Sequence, residues 1–372
     1  MRPDYTLADP SSVFSPALLF YRDLIQRNLA RALAIAGSPD RLRPHAKTHK
    51  TREIVRMALD AGVAKHKCAT PAEAEMLAQC GAKDVLLAYP VVGPNCGRLA
   101  RLAAGYPECR FAVLGDDMGA LKSLSDAMTA AAQEVDVMVD LDVGQHRTGV
   151  AVGESAVHVY ENIARLPGLR PGGLHIYDGH NHQENPAERR AAVHRLLEPV
   201  LHLRQQLEQR GLPVPRLVVG GTPTFPIYAK LDYPGLECSP GTCLVHDHGY
   251  GSRFLDVEGF TPAAVLLTRV ISRPTANRIT VDLGYKAVSS DPPAGKRCHL
   301  LNVPDYVGGL QNEEHFVVET PAAERFSAGD VIYAIPTHIC PTIALHRQAL
   351  IVENRQVTGA WDIVARDRVL TI

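Results

Sequence analysis

Residues 42–80 read LRPHAKTHKTREIVRMALDAGVAKHKCATPAEAEMLAQC, and this stretch decides the fold class. It opens on a compact strand candidate, Leu42 to Lys47, passes through an amphipathic segment over 50–61, and returns to a second strand candidate, Ala64 to Cys68. A helical run over 71–80 follows, with Thr70 as an N-cap before Pro71 in the first turn. Short apolar runs alternating with helical periods give the α/β rhythm.

The rhythm extends in both directions. Further helical segments are expected over 18–36, 117–131 and 187–210. Further strands are expected at Val85 to Ala88, Phe111 to Leu114, Val135 to Leu141, Gly173 to Tyr177, Leu217 to Gly220 and Glu237 to Val245. Eight strands paired with helices match a closed (β/α)8 barrel of the TIM type better than an open doubly wound sheet. After about residue 258 the texture changes, with AAVLLTRVISRP, RITVDLGYKAVS, HFVVET, DVIYAIPTH and ALIVENRQVTGAWDIV rich in β-branched residues and separated by turns. These predict a mostly antiparallel β domain. The expected division is a barrel over residues 12–250 and a β domain built from 1–11 and 251–372.

Composition narrows the class of function. The chain has 372 residues, 46% of them hydrophobic and 21% charged, with 39 basic against 40 acidic side chains. That balance offers no bulk attraction for nucleic acid or an anionic membrane, and no apolar run approaches the ~20 residues of a membrane span. Eight cysteines, at 68, 80, 96, 109, 238, 243, 298 and 340, form no CxxC pair. They read as reduced thiols, and with no apolar stretch near residue 1 the expected location is the cytoplasm. Sixteen histidines against one tryptophan are the unusual feature.

In a barrel, chemistry gathers at the C-terminal ends of strands. Lys47 closes the first strand between His45 and His49. A lysine aimed into a barrel mouth loses hydration, which lowers its pKa and frees the amine for a Schiff base; the alternative is a solvated lysine at a helix start. Gly220-Gly221-Thr222 and Gly241-Thr242 follow the seventh and eighth strands, where glycine turns let backbone N–H groups approach a phosphate. An amine at one end and a phosphate anchor at the other are what pyridoxal 5'-phosphate requires.

RPHAKTHK (43–50), DVGQHRTG (142–149), YDGHNHQ (177–183) and THICPT (337–342) together resemble the D-threonine aldolase and D-serine dehydratase family, across essentially the whole chain. That family has the alanine racemase-like barrel of fold-type III pyridoxal enzymes. The resemblance implies that Lys47 carries the cofactor with His45 beside it, that Arg147 lies by the phenolic oxygen, that Tyr177 lies against the pyridine ring, and that the two glycine turns hold the phosphate. Arg147 on spacing alone is equally a surface ion-pair partner.

His338 and Cys340 form an H-x-C pair which, on a strand, shares one face with backbones ~7 Å apart. Read alone, it is a buried cysteine beside a half-buried histidine. The resemblance implies instead a divalent metal, with His-x-Asp usual in the aldolases and His-x-Cys in the dehydratase-type members. A thiolate favours zinc, with manganese the second choice. His180 and His182, in the loop after Tyr177, are the candidate bases, with solvated loop histidines as the alternative; His346 and His49 rank below them.

The expectation is a pyridoxal-phosphate- and metal-dependent lyase of β-hydroxy-D-amino acids. Elimination of water, as from D-serine or D-threo-3-hydroxyaspartate, is placed ahead of retro-aldol cleavage of D-threonine to glycine and acetaldehyde. An amino-acid racemase comes third, for want of a motif supplying a second base. Non-catalytic alternatives are a single-barrel pyridoxal phosphate carrier and a structural zinc site, the latter needing four protein ligands. By resemblance the chain is expected to form a homodimer.

Overall fold

The computed structural model describes residues 3–372, and the chain divides into two compact units. One comprises Ala32–Lys47, Ile54–Gly241 and Asp367–Ile372. The other comprises the segment up to Arg31, Thr48–Glu53 and Thr242–Arg366. The first unit carries the α/β rhythm.

Its strands Lys65–Cys68, Asp84–Pro90, Arg110–Gly115, Val135–Asp142, Leu169–Ile176, Leu217–Val219 and Leu236–Cys238 pair side by side, all parallel, in chain order. The expected first strand, Leu42 to Lys47, makes only two isolated bridges, Leu42 to Cys238 and His45 to Lys67. Pro44 has no N–H to donate and interrupts the ladder. The segment still bonds to both edges of the sheet, through Arg43 N to Cys238 O (2.9 Å) and Ala46 N to Lys67 O (2.8 Å), and so closes the barrel. The expected strand over 237–245 stops at Cys238, with Pro240 two residues on.

The helices begin where their caps predict. Thr70 accepts from Glu73 N while Glu73 accepts from Ala69 N, a reciprocal box that starts Pro71–Gln79. Asp117 accepts from Ala120 N to cap Met118–Ala130, and Asn185 accepts from Ala187 N and Glu188 N to cap Pro186–Gln209. Arg52–Asp60 matches the segment expected over 50–61, and Pro94–Gly105 and Glu154–Arg165 are helices the sequence pattern did not single out.

Inside the barrel, charged groups fill the layer at the strand starts. Arg43 Nε reaches Glu237 at 2.6 Å and its NH1 reaches Asp84 at 2.7 Å. Arg216 joins Asp84 to Asp136, and Asp136 also receives Arg110 and Arg170. Above this layer lie Leu86, Ala112, Leu114, Met138 and Val218, all buried.

The second unit is a mixed, mostly antiparallel sheet, in the order Val307–Gln311, Phe316–Glu319, Arg278–Val281, Ala264–Thr275, Ala17–Tyr21, Gln348–Glu353, Gln356–Asp362. Val331–Pro336 pairs with Ala264–Thr275 and with Cys298–Leu300. Ala17–Tyr21 corrects the sequence reading, which started a helix at 18; the helix begins at Arg22. All five strand residues are buried, and a short apolar run has no period that separates strand from buried helix. The strand is central, antiparallel to Ala264–Thr275 and parallel to Gln348–Glu353, so residues 12–31 belong to this unit rather than to the barrel.

Asp136 is fully buried among its arginines, so Asp136→Ala removes the carboxylate shared by Arg110, Arg170 and Arg216 and leaves Arg216 with Asp84 as its remaining acid. The expected loss is about 3–5 kcal/mol in urea unfolding. A loss below ~1 kcal/mol would show that the layer is not a stabilising constraint.

Candidate active site

At the C-terminal ends of the strands the barrel unit holds a cavity of about 340 Å³, walled by His45, Lys47, Lys67, Arg147, His175 and Tyr177 among others. Lys47 lies in the turn after the His45 bridge, where His45 Nδ1 accepts the Lys47 backbone N–H at 3.3 Å. Three cations surround the Tyr177 ring: Lys47 Nζ and Lys67 Nζ each 5.8 Å from its centroid, and Arg147 Cζ at 5.0 Å. The one carboxylate in the cluster is already engaged, since Asp140 accepts from Thr148 (2.7 Å) and pairs with His175 Nδ1 (2.7 Å).

Burial brings the Lys67 amine down to about 7, with the Lys47 charge adding to the effect. Burial likewise pushes His175 down to about 4, and its Nε2 is buried without a hydrogen-bond partner. A cationic cavity around a flat ring, with an unmatched imidazole nitrogen in its wall, fits an anionic aromatic cofactor such as pyridoxal phosphate. A larger cavity in the other unit, about 450 Å³, is walled by Phe254, Phe260, Leu255 and other side chains, and its described lining contains no lysine or arginine.

The loop carrying Arg147 is fixed from its base. Asp142 accepts from Gly144 N and His146 N, and these bonds hold its carboxyl down at about 2. Gly149 has φ +98°, and a Cβ there would lie 2.8 Å from Asp142 N, so only glycine closes the loop. Gly221 lies against Tyr177, a Cβ on it falling 3.6 Å from Tyr177 Cε2. The Gly220-Gly221-Thr222 turn therefore sits beside the ring.

Asp178 secures that turn. Its buried carboxylate accepts from Thr224 Oγ1 (3.0 Å), Tyr228 OH (3.1 Å) and Asn181 Nδ2 (3.1 Å), and Thr224 in turn accepts from Gly221 N (3.2 Å). Burial raises its pKa against those three bonds. In the second turn, Gly241 closes the barrel unit's stretch, while Thr242 Oγ1 lies 3.4 Å from Cys340 Sγ within the other unit.

The candidate bases lie elsewhere. The His180 ring rests on Gly144, where a Cβ would come 2.8 Å from Nε2, and His182 is exposed. Neither belongs to the wall of the Lys47 cavity. His49 Nδ1 accepts from Thr51 N, and His346 Nε2 bonds Ala287 O at 2.8 Å. Lys67, His175, Asp140 and Asp178 were not singled out in the sequence. Lys67 and His175 sit inside strand candidates, Asp140 and Asp178 at strand ends, and only the inward phase of the barrel strands brings the first three together.

The metal pair is not on a strand. Val331–Pro336 ends just before it, His338 is the N-cap of helix Ile339–Leu345, and Cys340 lies in the helix's first turn with Pro341. Proline in a first helical turn is favoured there and ends the strand phase. The two side chains still interact. Asp291 Oδ2 binds His338 Nδ1 at 2.5 Å, and Asp291 is itself held by Ser289. Although burial opposes it, Cys340 and Asp291 raise the His338 imidazole to about 9. A carboxylate on one ring nitrogen, leaving the other for an acceptor or ion, is the arrangement of a metal-ligating histidine. Cys340 Sγ is 3.2 Å from Thr48 Oγ1, so hard and soft donors meet there. Among the described residues no group of three or more His, Cys, Asp or Glu side chains is placed to hold an ion.

The alanine racemase N-terminal domain family matches residues 21–248, and the serine dehydratase domain family matches residues 263–352. The chain is 30% identical to a D-threonine aldolase from an Arthrobacter species, over 96% of this chain and 94% of that one. It is 25% identical to a D-threo-3-hydroxyaspartate dehydratase from a Delftia species, over 88% of this chain and 91% of the relative. Among solved structures, D-threonine aldolase from Filomicrobium marinum superposes with a TM-score of 0.89 at 29% identity, covering 98% of this chain and 99% of that one.

Asp178→Asn replaces an acceptor of three donors by a group that must itself donate. The expected outcome is a stability loss of about 1–3 kcal/mol with faster hydrogen exchange at the Gly221 amide. Unchanged exchange at Gly221 would remove Asp178 from the support of the turn.

Proposed function

Because the chain belongs to the alanine racemase N-terminal domain family and continues into a serine dehydratase-type domain, we propose that it is a pyridoxal-phosphate- and divalent-metal-dependent lyase of β-hydroxy-D-amino acids that eliminates water, as from D-serine or D-threo-3-hydroxyaspartate. The observation that carries this reading is the His338–Cys340 pair with Asp291 on the histidine's Nδ1.

Pyridoxal phosphate, when bound, supplies an electron sink for the pair left at the substrate α-carbon. Lys47 Nζ would hold the cofactor, and its amine, when free, would take the substrate's α-proton. Arg147, permanently charged, would face the phenolic oxygen, and the Gly220-Gly221-Thr222 and Gly241-Thr242 turns would hold the phosphate through backbone N–H groups. A tyrosine such as Tyr177 holds less positive charge at a ring nitrogen than a carboxylate would, so departure of the β-substituent needs separate help. The metal supplies that help as a Lewis acid for the β-hydroxyl. His338 and Cys340 would hold it, the thiolate favouring zinc over manganese. A cysteine-to-alanine variant of a D-threo-3-hydroxyaspartate dehydratase has been solved in a metal-free form, in keeping with a metal in that enzyme.

Since neither His180 nor His182 walls the Lys47 cavity, Lys47 is the proposed base and the two histidines are placed in loop support. Eight cysteines, none of them in a disulfide, support a reducing compartment, the cytoplasm, and the family resemblance supports a homodimer. No described helix is long and apolar enough to cross a membrane. The second reading is retro-aldol cleavage, favoured by the 30% identity to a D-threonine aldolase.

Incubation with D-serine and, separately, D-threonine distinguishes the two. Pyruvate and ammonia are the expected products, and glycine with acetaldehyde would establish cleavage instead. Chelation, or alanine at His338 or Cys340, is expected to lower turnover 10-fold or more, at least the ~10–100-fold that loss of an outer-shell partner costs. Metal-independent turnover would remove the role given to the pair. Borohydride fixation of pyridoxal phosphate followed by peptide mapping should mark Lys47 in the wild type and leave position 47 unmarked in Lys47→Ala.

A further inference from the structure

Lys67 is the one buried amine for which the reading above has no use. On strand Lys65–Cys68, Lys65 and Lys67 point to the same face, into the barrel. Lys65 is matched by Glu237 at 2.9 Å in the charged layer. One layer higher, Lys67 is only 3% exposed and its Nζ donates to a neutral group, Ser239 Oγ, at 2.9 Å. Ser239 Oγ is in turn 3.1 Å from Val219 O and 3.3 Å from Gly220 O. The amine is thereby tethered to the root of the Gly220-Gly221-Thr222 turn.

The charges facing it are almost all of its own sign. Lys47 stands on the turn after residue 46, Arg147 on the loop after Asp142, and Arg43 in the layer below. Asp140 is the one acid facing it, and that carboxylate is spent on His175 and Thr148. From the end of strand Leu169–Ile176 come the neutral His175 ring and the Tyr177 face. A dry amine among cations lacks an anion.

We propose that Lys67 is a second cofactor-binding amine, the buried counter-cation of the anionic pyridine ring and phosphate, and that it takes up a proton when that anion binds. The inference rests on the cofactor reading above but not on the attachment at Lys47. Without the anion the amine sits near 7, from burial and like-charge neighbours. Below that pH it is charged in both states and affinity is greatest. As pH rises through it, the free site loses the proton that the bound site keeps, and affinity falls.

The probe is 4'-deoxypyridoxine 5'-phosphate, which lacks the aldehyde and so cannot attach to Lys47. Its binding is measured calorimetrically in two buffers of different ionisation enthalpy, between about pH 6 and 9, across the range of the lowered amine. In the wild type, affinity should fall with pH and binding should take up more protons than in Lys67→Met. Lys67→Met should bind about 10- to 100-fold more weakly at the acid end, the loss expected for one charge-assisted hydrogen bond, with the gap closing as pH rises. Lys67→Arg, permanently charged, should hold its affinity at the alkaline end, which a purely structural role would not produce. The probe's own phosphate titrates equally in all three proteins. Equal proton uptake in the wild type and Lys67→Met, or an Lys67→Arg profile that follows the wild type, would overturn the role of Lys67. A wild type that does not bind the probe would overturn the cofactor reading itself.

Discussion

Everything in the barrel unit depends on how the segment from Leu42 to Ala46 is held between the first and last strands of the parallel sheet. Arg43 N and His45 N donate to Cys238 O and Pro240 O on one side, while Ala46 N and Lys67 N exchange bonds with Lys67 O and Pro44 O on the other. Four bonds close the cylinder without a regular strand. Because Pro44 cannot donate, the ladder breaks and the chain turns at residue 46, which delivers Lys47 to the cavity wall. The same segment sends Arg43 inward to Glu237 and Asp84, so closure of the sheet and neutralisation of its charged floor are one event.

The barrel interior then reads as levels of different electrostatics. At the strand starts, acids and arginines alternate and cancel. Apolar side chains lie above them, level with Lys67. At the strand ends the balance shifts to Lys47, Lys67 and Arg147 against one committed aspartate. Such an imbalance destabilises the empty site and favours an anionic ligand.

Much of this was legible in the sequence and some of it could not be. The βα rhythm gave the barrel, and the Thr70–Pro71 cap fixed a helix start to the residue. Lys47, Arg147, Tyr177 and the Gly220-Gly221 turn lie within strand-end motifs and the structure gathers them around one ring. Leu18 to Tyr21 was misread because a fully buried central strand is apolar on both faces and carries no period. Lys67 and His175 were invisible for another reason: what distinguishes them is the inward phase of their strands, and a lone lysine or histidine inside a short run does not declare that phase. His338 and Cys340 were legible as a pair but not as a junction, since strand and helix meet between Pro336 and Ile339.

In the β-sheet unit the organising contact is Asp291 on His338 Nδ1, which fixes the ring beside Cys340. The central claim is that one chain carries both a lysine-bound pyridoxal phosphate and an ion on this pair. The most direct test is a crystal structure of the protein loaded with cofactor and zinc, with anomalous scattering recorded at the zinc edge. The expected result is continuous density from Lys47 Nζ into the cofactor and an anomalous peak within bonding distance of His338 Nε2 and Cys340 Sγ. Cofactor joined to another residue, or zinc bound elsewhere with the pair bare, would contradict it.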